Sequence, residues 1–140
     1  MARRFQHRTR VRYSDCDPQG VVFFANHLGF FDIAMTELWR EAIGPYDEMV
    51  AGGVDMVVAE AHVRYRGSVP FDAEVELSAE VTRLGQTGMT THLELSIDGE
   101  LRTEGELRHV FVEVEGGGKT EIPAEIRRAL EPYVAEGPTA

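Results

Sequence analysis

His27-Leu28-Gly29-Phe30-Phe31-Asp32-Ile33-Ala34-Met35-Thr36-Glu37-Leu38-Trp39-Arg40-Glu41-Ala42-Ile43 is the stretch that decides the fold. Leu28, Phe31, Met35, Leu38 and Ala42 recur at steps of three and four, the spacing of a helix that buries one stripe. Phe30, Ile33 and Ala34 widen that stripe, so the helix is expected at the centre of the molecule. Gly44-Pro45 ends it. After a connector at 45–53 the period changes to two: Val57, Ala59, Ala61, Val63 and Tyr65 alternate with Val58, Glu60, His62 and Arg64. Ala73, Val75, Leu77, Ala79 and Val81 make a second such row, and Met89, Thr91, Leu93, Leu95 and Ile97 a third, each the mark of a strand with one apolar face. Asp98-Gly99 is a favoured hairpin turn that returns the chain into 100–114. Gly105 interrupts this last strand, as a bulge or a close backbone approach would require. With a further strand over 6–13, one helix meets five strands. The simplest solution is an α+β fold in which a five-stranded antiparallel sheet wraps around the central helix. Gly116-Gly117-Gly118 reads as a turn, and Pro123–Glu131 as a short helix stopped by Pro132.

Just upstream of the helix lies Tyr13-Ser14-Asp15-Cys16-Asp17-Pro18-Gln19-Gly20-Val21-Val22-Phe23-Phe24-Ala25-Asn26-His27. A helix start offers unpaired N–H groups and a partial positive charge that suit an oxyanion, while a carboxylate beside it can attack or act as base. Those two parts are what thioester hydrolysis needs. Spacing alone favours another role: Asp followed by Pro is a helix-start signal, with Asp capping and Pro at the first position.

The segment resembles the signature of the 4-hydroxybenzoyl-CoA thioesterase family of hotdog-fold acyl-CoA thioesterases, with Asp15, Asp17, Gly20, Phe24 and Asn26 in matching order. The likeness continues through the helix into Tyr65-Arg66-Gly67-Ser68-Val69-Pro70-Phe71-Asp72 and covers most of residues 8–114. It implies a single hotdog domain over 1–140, acyl-CoA as substrate, and a homodimer or homotetramer. By resemblance Asp17 is the nucleophile or general base, and the backbone N–H of Phe24 polarises the thioester carbonyl. Some relatives carry His at the Phe24 position; this chain has no such acid or base there. Gly20 lets the turn approach the substrate, Asn26 caps the helix or orients the pocket, and His27 is a helix-start or pocket residue. The turn Arg83 to Gly88 corresponds to a nucleotide-contacting region, which makes Arg83 a CoA-phosphate ligand with Arg64, Arg66 and Arg108 as helpers. Each of these arginines has an exposed ion pair as its alternative. An acyl carrier protein presents the same pantetheine arm as CoA, so a carrier-protein thioesterase and a non-catalytic acyl-CoA-binding protein remain rival readings.

Composition narrows the field. The chain has 140 residues, a formal net charge of −10 and one cysteine. That length suits one domain, and the acidic balance argues against nucleic acid as a partner. A lone cysteine forms no internal disulfide, no apolar run reaches membrane-spanning length, and the start lacks a signal-peptide pattern, so a cytoplasmic setting is expected. Cys16 lies between two acids, which disfavour its thiolate. Asp15 is expected to hold structure, and Asp32 and Glu37 are helical carboxylates that stand as replacements if Asp17 proves structural. Five scattered histidines offer no metal site, and no cofactor is implied.

Overall fold

The computed structural model describes residues 4–135. Its sheet contains β1 (Phe5–Arg10), β2 (Val54–Tyr65), β3 (Glu74–Leu84), β4 (Gly88–Ile97) and β5 (Glu100–Glu113), all antiparallel, in the order β1-β3-β4-β5-β2. Helix α1 (His27–Ala42) packs on its inner face, with α2 (Tyr46–Ala51) and α3 (Ala124–Leu130) at one end. This is the expected α+β arrangement, the hotdog architecture.

Burial of the α1 stripe holds the two layers together. Phe31, Leu38 and Trp39 are almost completely buried against Leu77, Leu93, Leu95 and Phe111 of the sheet. Each such side chain contributes about 1.5–3 kcal/mol of transfer free energy. The stripe is narrower than its sequence suggests, because Leu28 and Ile33 remain partly exposed. Gly105 resolves as a close approach, since a Cβ there would clash with the His62 carbonyl and lie 2.9 Å from Phe31 Cε2. It allows α1 to sit tightly against β5.

Several expectations need correction. The connector at 45–53 contains α2, short but anchored by Tyr46 against Trp39. The alternation in β2 is broken by a register shift between Val58 and Glu60. An extra residue reverses which face the following side chains take. Met56 and Val58 therefore share the inner face with Ala61, Val63 and Tyr65, and Val57 does not. The short helix before Pro132 is as expected: α3 stops at Leu130, and a 3-10 turn, Glu131–Tyr133, follows it. The Asp98-Gly99 turn is as expected, with φ of 50° and 80°, both in the left-handed region that a two-residue hairpin demands.

Candidate active site

The segment between β1 and α1 is folded by its own backbone. A 3-10 turn over Tyr13–Asp15 closes when Arg12 N–H donates to Asp15 Oδ2 at 2.8 Å. The Asp15 carbonyl then accepts the Phe23 N–H and the Asn26 Nδ2, each at 3.0 Å. Asp15 is thus structural, as its position suggested. Cys16 bridges Val22, and its thiol is pushed up by burial and by the flanking Asp15 and Asp17 carboxylates, which leaves it a poor nucleophile. Asp17 N–H donates to the Val21 carbonyl at 2.9 Å, Gly20 N–H returns to the Asp17 carbonyl at 2.9 Å, and Asp17 Oδ1 accepts the Gln19 N–H at 2.8 Å. Asp17 therefore opens a tight turn and caps no helix. Gly20 sits at φ 79°, which makes glycine the suitable residue there. The turn is fastened to the segment leading into β3 by Val22 N–H to the Val69 carbonyl and Phe71 N–H to the Gly20 carbonyl.

A second 3-10 turn, Phe24–Asn26, leads into α1. Phe24 is its first residue, and the N–H at such a position has no partner within the turn. The other side of the Phe24 peptide is held: Tyr65 Oη donates to the Phe24 carbonyl at 2.7 Å. His27 is 3 % exposed, with Nδ1 2.8 Å from Thr103 Oγ1 and a hydrogen bond to the Val22 backbone. Its ring meets Tyr65 edge-on at 4.9 Å. Burial lowers the proton affinity of His27, opposed by the Val22 hydrogen bond, so the imidazole is neutral at pH 7. Asn26 does not cap α1 with its side chain; its amide is spent on the Asp15 carbonyl, and it orients the loop instead.

These groups border one open cleft of about 430 Å³, where Asp17, Phe24, His27, Tyr65, Arg66 and Ser68 meet. Arg66 pairs with Glu104 at 3.0 Å. Arg64 lies on the outer face of β2 in an ion pair with Glu106 at 3.1 Å, outside the cleft, and Arg108 faces Glu60 at 3.8 Å. Arg83 follows a bulge near the far end of β3. Within one chain that is about 30 Å from the strand end beside Asp17. Asp32 borders a different cavity, and Glu37 pairs with Arg40. Among the described residues no group of three or more His, Cys, Asp or Glu could hold a metal, and no helix is long and apolar enough to cross a membrane. Tyr65 and Thr103 are the residues to which sequence reading assigned no role. Tyr65 stood in a motif with nothing to mark its hydroxyl as a tether. Thr103 became visible only when pairing placed it opposite Tyr65.

Comparison with known proteins shows the family of the chain. The acyl-CoA thioester hydrolase YbgC of Escherichia coli is 29 % identical over 110 residues, covering 78 % of this chain and 82 % of that protein. A 1,4-dihydroxy-2-naphthoyl-CoA hydrolase of Synechococcus is 25 % identical over 131 residues, 86 % of this chain and 85 % of the relative. A Pseudomonas aeruginosa protein of known structure superposes with a TM-score of 0.86 at 27 % identity, covering 95 % of this chain and 93 % of its own. Residues 11–130 match the thioesterase-like superfamily, and the chain belongs to that family.

Proposed function

We propose that this protein hydrolyses an acyl-CoA thioester to the free acid and CoA, with Asp17 as nucleophile or general base and the Phe24 N–H as the polarising donor. The observation that carries this reading is the meeting of the half-buried Asp17 and the Phe24 turn in one cleft. Among the described residues Asp17 is engaged through Oδ1 alone, by the Gln19 backbone N–H. The carboxylate attacks the thioester carbon and expels the CoA thiolate, leaving a mixed anhydride that water opens; alternatively, it takes a proton from an attacking water. In either route negative charge develops on the carbonyl oxygen, where a fixed amide donor is worth most.

A homodimer is the unit this reading favours. β1, the short edge of the sheet, is covered with charge, Arg8 and Arg10 facing Glu74 and Glu76. β2, the other edge, is twice as long and exposes Val57, Val58 and Tyr65. Such an edge is a ready template for another strand. Two-fold pairing of β2 with itself about its middle sets Val54–Met56 of one copy beside Val63–Tyr65 of the other.

The test is release of free thiol from a panel of aliphatic and aromatic acyl-CoAs, run beside acyl-carrier-protein thioesters and with the solution mass measured in parallel. Turnover that disappears in a folded Asp17→Asn protein supports the reading. Turnover that survives there, or none on any thioester by the wild-type protein, sinks it.

A further inference from the structure

Tyr65 is the last residue of β2 and borders the Asp17 cleft. It is 49 % exposed, so core packing does not account for it. Its hydroxyl donates to the Phe24 carbonyl at 2.7 Å, from 41 residues away in the chain. Phe24 is itself 64 % exposed, and water serves an exposed carbonyl nearly as well as a phenol does, which makes this bond a minor contributor to stability. A phenol carried on a strand supplies what water does not, a fixed direction. Phe24 joins two peptide planes. In the first, the Phe23 carbonyl accepts the Asn26 N–H at 2.8 Å inside the turn. All peptide bonds are trans, so the Phe24 N–H of that plane points the opposite way. The second plane, which carries the Phe24 carbonyl, is held from the sheet by Tyr65. Thr103 lies opposite Tyr65 in the pairing of β2 with β5, and its hydroxyl is 2.8 Å from His27 Nδ1. The Tyr65 ring meets His27 edge-on at 4.9 Å. Two neighbouring strands thus grip the start of α1 at one point, Tyr65 directly and Thr103 through His27.

We infer that Tyr65 is a positioning residue for thioester hydrolysis: by holding the Phe24 carbonyl it fixes the second peptide plane, and with it the angle at which the Phe24 N–H meets the thioester oxygen. The inference rests on the reading of that N–H as the polarising donor. Tyr65 acts through the backbone, touches no reacting atom and passes no proton. A donor is worth most when its direction is set before charge develops, and removing one outright costs about 10²–10³ in kcat. Without the Tyr65 hydroxyl the Phe24 N–H is still present but less firmly aimed, so the loss is smaller than that, about ten-fold. A misplacement of this kind acts on the chemical step, because alignment of the reacting groups is what it degrades.

The test is Tyr65→Phe, which keeps the ring and its contact with His27. Its kcat is expected to fall about ten-fold, with KM within about two-fold and the urea midpoint unchanged. Polarisation is read separately in the Asp17→Asn protein, by infrared difference spectroscopy of the best acyl-CoA substrate of the panel, labelled with carbon-13 at the thioester carbonyl. An aligned donor moves that carbonyl band to lower frequency, and adding Tyr65→Phe should remove about half of the movement or more. A band that Tyr65→Phe leaves in place overturns the inference. So does a rise in KM in place of a loss in kcat, which would make the hydroxyl a substrate contact, and so does a variant that fails to fold, which would make it structural. A band that does not move in the Asp17→Asn protein with Tyr65 intact is a different result: it sinks the Phe24 donor reading, and the inference falls with it.

Discussion

At the Asp17 end of the sheet nearly every polar side chain is tied to the backbone. Asn26 holds the Asp15 carbonyl, Tyr65 the Phe24 carbonyl, and His27 the Val22 backbone together with Thr103. At the opposite end Trp39 Nε1 and His109 Nδ1 are buried with no hydrogen-bond partner among the described residues. The first end fixes geometry in advance, as the proposed chemistry requires, because a donor placed beforehand need not reorganise as charge develops. The second keeps hydrogen-bonding capacity unspent, and a buried polar group without a partner costs about 1–3 kcal/mol.

The largest effect that tests this contrast separates two carboxylates. Asp17→Asn keeps size and the Gln19 contact but loses the charge, and kcat is expected to fall by about 10²–10⁴ with the fold intact by circular dichroism. Glu37→Gln, away from the cleft in a pair with Arg40, should leave kcat within about two-fold. Equal losses in both would show that the Asp17 end is not the chemical end.

Next comes His27→Phe. It leaves the Thr103 hydroxyl and the Val22 backbone without their ring partner, and an orphaned buried group costs about 1–3 kcal/mol. The midpoint of urea unfolding should fall accordingly, while kcat drops far less than in Asp17→Asn. An activity loss as large as that of Asp17→Asn in a protein of unchanged stability would make His27 a catalytic residue.

The two ends share one property, a buried histidine, and this makes their comparison sensitive to pH. His27 and His109 both have lowered proton affinity through burial. The unfolded chain regains ordinary histidines, which bind protons below about pH 6.5. Because the unfolded state then holds more protons, stability is lost as pH falls through that value, by about 1.4 kcal/mol per pH unit for each proton, until the folded rings also protonate. Urea midpoints at pH 7.5 and 5.5 should differ in the wild-type protein. His27→Gln should remove one share of the difference and His109→Gln the other. A midpoint that does not change over this range in the wild-type protein would mean the rings are not held neutral.

How much of this was visible beforehand depends on the kind of signal. The α1 stripe and the Asp98-Gly99 turn are local patterns, and they produced a helix and a hairpin where expected. The Asp17 to Asn26 segment was legible as a place for chemistry only through its family likeness, because its turns are held by contacts to residues 69–71 and Tyr65. The bulge in β2 was hidden for a different reason: Val57 and Val58 are equally apolar, so alternation could not tell which of them faces inward. Asn26 read as a cap since Asn before a helix is good capping chemistry, and the competing claim of the Asp15 carbonyl is a contact over eleven residues.

The smallest expected effect concerns Arg83, which belongs to neither end's hydrogen-bond network. It is exposed on the outer face of β3 beyond the bulge, and no ion pair engages it among the described residues. Arg64, Arg66 and Arg108 are by contrast already held by Glu106, Glu104 and Glu60. The role proposed for this guanidinium, by family resemblance, is contact with a CoA phosphate. An exposed charge pair is worth about 0.2–1 kcal/mol, so Arg83→Ala should raise KM for acyl-CoA by at most about five-fold. Such a contact is made equally in ground and transition states, and kcat should stay the same. A truncated acyl-pantetheine lacks the phosphates and should not distinguish the variant from the wild-type protein. If the variant weakens both substrates alike, or weakens neither, the nucleotide is held elsewhere, and Arg66 at the rim of the cleft becomes the cation to replace.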